Sequence, residues 1–243
     1  MKKRLDLLIV EKGLAPSRQK AQGMIMSGEV RVDGQAITKA GHMVDPDAEV
    51  KVESVRIPFV GRGGLKLDAA LNHFGVGVNG KICMDVGSST GGFTDCLLQR
   101  GAMKVYAIDV GYGLIDSKLR SDPRVILIER TNFRYIESSI IPECIDIATV
   151  DVSFISLMKI FPRLIEFLCA DGEVLALVKP QFEVGKGRVG KGGIVREEQT
   201  RVDAVRSVQS SAVSLGLIAR GVFESPVPGQ KGNREYFLFL RKA

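Results

Sequence analysis

The chain has 243 residues, of which 45% are hydrophobic and 26% charged, the balance of a globular protein with a core of ordinary size. A formal net charge of +6 favours a polyanionic partner. Four cysteines with no C-x-x-C pair and two histidines far apart give no metal-ligand spacing, and no metal is expected.

Cys83, Cys96, Cys144 and Cys169 each lie in an apolar run and are expected as reduced core thiols. The N-terminus is basic and amphipathic, without a leader core. No stretch approaches the ~18 to 20 apolar residues of a membrane span. A soluble, cytoplasmic chain that does not insert into membranes is therefore expected.

Residues 4–12 put Leu5, Leu8 and Ile9 on one helical face, and Gly13 ends the run. Ser17 is placed to cap a second helix, where Ala21, Met24 and Ile25 form the apolar stripe and Gly28 stops it. Residues 29–37 alternate around Asp33-Gly34, a two-residue hairpin signal. A further short strand is expected near Glu49–Val52. A Pro- and Gly-containing junction at 54–64 divides the chain into domains 1–60 and 61–243.

The remainder alternates strand and helix. Strands are expected at Lys81–Asp85, Lys104–Asp109, Val125–Glu129, Ile145–Asp151, Glu173–Lys179, Leu217–Glu224 and Tyr236–Arg241, with helices at 157–169 and 196–215 among others. Several of these strands are continuous apolar runs, as in sheets covered on both faces. The fold class read here is α/β: a doubly wound, Rossmann-like sheet of about seven strands behind a small α+β domain.

Residues 1–39 carry eight Lys/Arg against four Asp/Glu, four of the chain's six net positive charges. A basic face of this kind contacts phosphates without reading sequence. The Arg4-Leu5-Asp6 triplet, the Ser17-Arg18 helix start, the Gly28–Val32 segment and the Asp33-Gly34 turn resemble the RNA-binding domain named after the fourth small-subunit ribosomal protein. The resemblance implies RNA contacts at Arg4, Arg18, Lys20 and Lys39.

Residues 82–95 (ICMDVGSSTGGFTD) read as a strand ending at Asp85, a glycine loop and a helix start. Gly87, Gly91 and Gly92 let a ligand approach the backbone, and a helix N-terminus favours an anion. The loop is not G-x-G-x-x-G, which disfavours a dinucleotide. Asp109 ends the next strand, 22 residues after Gly87, where a carboxylate suits ribose hydroxyls. Together they favour a nucleoside-containing cofactor such as S-adenosyl-L-methionine.

Lys66 lies at the edge of a helix whose stripe is Leu67, Ala70, Leu71 and Phe74. Asp151 ends the fourth strand, Lys179 the fifth, and Glu235 precedes the seventh. Ligands of open parallel sheets bind outside the strands' carboxyl ends, so Asp85, Asp109, Asp151 and Lys179 are expected to face one crevice. Methylating a ribose hydroxyl needs a base for its proton. A second lysine lowers the first one's proton affinity by like-charge repulsion, and carboxylates orient the ammonium groups.

GRGGLKL, DVGSSTGGFTD, DVSFISL, LVKPQFE and GNREYF resemble the FtsJ-like ribose methyltransferases and, with the N-terminal module, the TlyA family. The resemblance implies a Lys66, Asp151, Lys179, Glu235 tetrad with Lys179 as general base. It implies an S-adenosylmethionine site at Asp85, Gly87, Ser88, Ser89, Thr90, Gly91, Gly92, Phe93, Asp109, Asn132 and Asp151. It further implies 2′-O-methylation of cytidine in ribosomal RNA, the large subunit favoured and the small one possible, with ribosomal subunits as partners. The glycine-rich segment 180–196 is expected to close over RNA through Lys186, Arg188 and Lys191. Two other readings stay open: an RNA-binding assembly factor without catalysis, and a haemolysin, a label the family often carries.

Overall fold

The computed structural model describes residues 2–26, 28–52, 58–185, 187–190 and 192–243, and divides them into two compact units, Met1–Ile57 and Pro58–Ala243. The first unit begins with β1 (Lys3–Arg4), α1 (Leu5–Glu11) and α2 (Arg18–Met26). The Ser17 hydroxyl accepts a hydrogen bond from the Lys20 N–H at 3.2 Å, the N-cap expected from its position. β2 (Val30–Val32) and β3 (Gln35–Ala36) form the hairpin, with Asp33 and Gly34 both at positive φ, which suits a two-residue turn. β4 (Met43–Val44) pairs with β1, and β5 (Val50–Val52) with β2. Leu5, Leu8, Ile9, Ala21 and Ile25 close a small core.

In the second unit α3 (Arg62–Phe74) precedes β6 (Ile82–Val86), α4 (Gly92–Gln99), β7 (Lys104–Ile108), α5 (Ser117–Arg120) and β8 (Val125–Ile128). Then follow β9 (Ile145–Val150), α6 (Phe161–Phe167), β10 (Leu168–Val178), α7 (Pro180–Glu183), α8 (Glu198–Ser214), β11 (Leu217–Glu224) and β12 (Tyr236–Lys242). Among the described residues these strands form one seven-stranded sheet in the order β11-β12-β10-β9-β6-β7-β8. Pairing is parallel from β10 to β8, whereas β12 runs antiparallel to both β10 and β11. The chain winds outward in both directions from β6 and β9, so the switch point lies between their carboxyl ends.

Both faces are covered, which explains the continuous apolar strands. α6 and α8 bury Phe161, Leu164 and Val208 against Met84 and Val86. α3 and α4 bury Leu67, Leu71 and Leu97 against Cys83 and Val105. Removing a side chain such as Phe161 or Phe237 from water contributes roughly 1.5–3 kcal/mol.

Two expectations need correction. The helix expected over 157–169 is a 3-10 turn at Leu157–Lys159 followed by α6, and Leu168 already belongs to β10. Pro162 lacks an N–H and suits a helix start, so the helix restarts there. The cysteines are not four core thiols. Cys144 and Cys169 form a disulfide, while Cys83 and Cys96 are free and buried. Leu168 pairs with Ile145, and that register sets the neighbouring cysteines side by side, with Cys144 at the surface. Burial pushes both free thiols up to about 12.

Candidate active site

The glycine loop between β6 and α4 is held tightly. A Cβ on Gly87, at φ +88°, would meet the Asp151 backbone oxygen at 2.6 Å. A Cβ on Gly92 would meet the Gly64 nitrogen at 3.0 Å, so the loop also presses on the start of α3. Ser89 takes a positive φ, and its N–H donates to Asp109 Oδ2 at 2.8 Å. Asp109 Oδ1 accepts from the Gly111 N–H at 2.7 Å. That carboxylate thus ties the first loop to the second, with lone pairs left for a ligand.

Two cavities open at the switch point and share Gly87, Ser89, Asp151, Ser153 and Phe154. The larger, about 490 Å³, contains Lys66, Asp151, Lys179 and Glu235. Lys66 Nζ donates to Glu235 Oε2 at 2.6 Å, and both side chains are largely buried. Lys179 Nζ lies 2.7 Å from Asp151 Oδ1 and donates to Ser153 Oγ at 2.9 Å. Four side chains, from α3, from the residues just past β9 and β10, and from the approach to β12, therefore meet as two ion pairs across one space. Ser88, Thr90, Gly92 and Phe93 line the same cavity, and Phe93 stacks on Phe237.

The second cavity, about 410 Å³, is mostly apolar, with Ile108, Val110, Leu114, Phe133 and Ile160 around Asp109 and Asn132. Asn132 Oδ1 accepts from the Arg134 N–H and caps a 3-10 turn. Ser88 Oγ is buried without a hydrogen-bond partner among the described residues. An apolar slot beside a carboxylate, leading to a cradle of glycines and an unpartnered hydroxyl, fits a nucleoside joined to a small charged tail. These residues fit S-adenosylmethionine.

Asp85 stands apart from the crevice. It is fully buried, accepts from Thr94 Oγ1 at 2.7 Å and lies 3.2 Å from Thr149 Oγ1. Burial pushes its carboxyl up to about 7. The Asp151 charge acts in the same direction, against the Thr94 hydrogen bond. Its side chain faces α4 because successive strand residues point to opposite faces.

The sequence reading missed several lining residues. Phe154 is 87% exposed with φ +64°, and its ring lies 5.0 Å from that of Phe182. A phenylalanine in DVSFISL carries no local signal that it is anything but core. Glu183 accepts from Ser156 Oγ at 2.6 Å and the Leu157 N–H at 2.9 Å, which ties α7 to the loop after β9. Arg62 and Gln181 also line the larger cavity.

In the glycine-rich segment, Arg188 is exposed, while Lys186 and Lys191 lie outside the described residues. Gly193 O accepts from Asn233 Nδ2 and the Val195 N–H donates to Asn233 Oδ1, so part of the segment is fastened beside Glu235. In the N-terminal unit Lys20 and Lys39 are exposed. Arg4 and Arg18 both donate to Asp6, a carboxylate with no solvent exposure. Among the described residues no group of His, Cys, Asp and Glu is arranged to hold a metal, and no helix is long and apolar enough to cross a membrane.

Residues 59–242 match the FtsJ-like methyltransferase family and residues 3–50 the S4 domain. The chain is 46% identical over 239 residues to the 16S/23S rRNA (cytidine-2′-O)-methyltransferase TlyA of Mycobacterium tuberculosis, covering 98% of this chain and 89% of that one. It is 32% identical to the 23S rRNA (cytidine-2′-O)-methyltransferase TlyA of Campylobacter jejuni, over 96% of this chain and 97% of that one. A solved structure of a hemolysin-named protein from Streptococcus thermophilus is 42% identical, with TM-score 0.80, over all of this chain and 89% of that one. With a switch-point site of this build and relatives aligned over nearly all of its length, the chain belongs to the FtsJ-like methyltransferase family, S-adenosylmethionine-dependent enzymes, and carries an S4 domain ahead of that region.

Proposed function

We propose that the protein transfers a methyl group from S-adenosylmethionine to the ribose 2′-hydroxyl of a cytidine in ribosomal RNA, acting on ribosomal subunits in the cytoplasm. Large-subunit RNA is the favoured acceptor, since both relatives' names include it. The observation that supports the chemistry most is the meeting of Lys66, Asp151, Lys179 and Glu235 around one cavity beside the glycine loop.

S-adenosylmethionine supplies an electrophilic methyl group when bound. Asp109 and Asn132, with the apolar slot, are suited to hold its nucleoside. Gly87, Ser88, Ser89, Thr90, Gly91 and Gly92 are suited to its amino-acid end, with Phe93 behind them. Asp85 acts from behind the loop through α4. Lys179, in its neutral amine form, takes the proton of the 2′-hydroxyl and becomes the ammonium that Asp151 and Ser153 hold. Lys66, held by Glu235, positions the ribose from the opposite wall. Alignment and a placed base together account for large accelerations, the base alone for ~10² to 10⁴. The exposed ring of Phe154 offers a stacking surface for a base brought out of its helix. Arg4, Arg18, Lys20 and Lys39 in the S4 unit, and Arg188 beyond α7, supply phosphate contacts.

The test is transfer of labelled methyl to separated, unmodified small and large subunits, with Lys179→Ala alongside. Label in a subunit's RNA as 2′-O-methylcytidine, reduced at least ~10²-fold by the substitution, is the expected result. Retained RNA binding without transfer by the unsubstituted protein would refute it in favour of a binding factor.

A further inference from the structure

α7 is a single turn, and both of its ends grip the loop that follows β9. At its start, Lys179 has Nζ 2.7 Å from Asp151 Oδ1 and donates to Ser153 Oγ at 2.9 Å. At its end, the Glu183 carboxylate accepts from Ser156 Oγ at 2.6 Å and from the Leu157 N–H at 2.9 Å. Between these contacts the rings of Phe182 and Phe154 lie 5.0 Å apart. The loop is thus fastened to one short element along its whole length. Its middle is strained. Phe154 sits at φ +64°, a region that a bulky residue rarely enters, and it is largely exposed, so little packing of its own holds it there. Such a conformation persists where the surrounding structure imposes it. Glu183 supplies that restraint at the far end of the loop, through hydrogen bonds strengthened by its charge. The position is costly for an ion: burial pushes the Glu183 carboxyl up, against both hydrogen bonds. Glu183 itself lines neither cavity, so its influence on the site passes through the loop.

We infer that Glu183 is a positioning residue for methyl transfer: by clamping Ser156 and Leu157 it holds the loop so that Asp151 and Ser153 keep the Lys179 amine aimed at the acceptor hydroxyl. The inference rests on the role proposed above for Lys179. A small displacement of a placed base loses much of its acceleration, so the clamp acts on the chemical step more than on cofactor binding. It works through the contact that Ser153 makes, so the effects of changing Glu183 and Ser153 do not multiply. Glutamine keeps the clamp, since its Oε1 accepts from the Leu157 N–H and its Nε2 donates to the Ser156 hydroxyl. Alanine removes it.

The experiment measures kcat for methyl transfer to unmodified ribosomal subunits by the full-length protein and by Glu183→Ala, Glu183→Gln, Ser153→Ala and the Glu183→Ala, Ser153→Ala double variant. Calorimetric titration with S-adenosylmethionine gives the affinity and the fraction of intact cofactor sites in each. Glu183→Ala is expected to lower kcat about tenfold or more, with cofactor affinity changed less than about threefold and the sites intact. Glu183→Gln is expected to stay within about threefold of the unsubstituted kcat, and the double variant to lose little more than the worse single one. An unchanged kcat in Glu183→Ala, an equal loss in Glu183→Gln, or losses that multiply in the double variant overturns the assignment. So does a loss of cofactor sites in Glu183→Ala that matches its loss of rate, which would make the role one of folding alone. No transfer by the unsubstituted protein refutes the methyl-transfer reading itself, and the assignment falls with it.

Discussion

Gly87 and Asp151 meet where β6 and β9 leave the sheet, so close that a Cβ on Gly87 would lie 2.6 Å from the Asp151 backbone oxygen. The backbone of residue 87 also sits at φ +88°, where any side chain is strained. The glycine lets the loop pass under the strand end that carries Asp151. Gly87→Ala should therefore weaken S-adenosylmethionine binding more than about tenfold, by moving the loop and disturbing Asp151. Calorimetric titration gives the answer, and an unchanged affinity would remove the loop from the cofactor site.

Lys66 and Glu235 form a buried pair, and breaking such a pair from one side is worse than removing both partners. Lys66→Met should cost about 3 kcal/mol of stability, because Glu235 is left with an unpaired charge. Lys66→Met with Glu235→Gln should recover much of that stability but no methyl transfer. Urea denaturation of the three proteins measures the first effect and the labelled-methyl assay the second. A double variant less stable than the single one would contradict it.

Asp6 holds Arg4 and Arg18 on one carboxylate, with Gln22 as a further donor. The Arg4 hydrogen bond leads in holding its carboxyl well below the usual range, outweighing burial, with Gln22 and Arg18 adding to it. A depressed folded value contributes stability that is present above the unfolded carboxylate range, ~3.9, and lost as pH falls below it. The unfolding midpoint of the N-terminal unit should therefore drop below about pH 4 in the unsubstituted chain, and much less so in Asp6→Asn. Asp6→Asn should also weaken RNA binding, since the two arginines lose their common anchor. Equal acid sensitivity, or unchanged RNA affinity at fixed salt, would separate Asp6 from these roles.

Asp85 shows the opposite linkage. Its folded value, raised to about 7 chiefly by burial, lies above the unfolded one. The folded chain thus keeps a proton that the unfolded chain has released. Its contribution to stability declines as pH rises from ~4 to about 7 and stays low above that. Asp85→Asn should flatten the dependence of the methyltransferase unit's urea midpoint over this window. A slope as steep as before would place the titrating group elsewhere.

Much of this architecture is local information. Alternating strand and helix periods mark the seven strands of the large sheet to within a residue or two, except that β10 begins early at Leu168. Asp33-Gly34 and Ser17 specify a turn and a cap through their own backbone preferences and hydrogen bonds. The glycine loop and the charged residues at strand ends are legible for the same reason: each lies within one short motif. Other features depend on which distant segments pair and in what register, and a local period does not encode that. The insertion of β12 between β10 and β11 is one such case. The register of β9 against β10, which joins Cys144 to Cys169, is another. Packing between elements turned Asp85 into the interior, left Phe154 exposed at the cavity mouth and buried Asp6 beneath two arginines. The sequence by itself determined the elements and the chemical groups at their ends. Only the tertiary structure decided which of those groups face one another, because burial and pairing are properties of surfaces that exist once the chain has closed on itself.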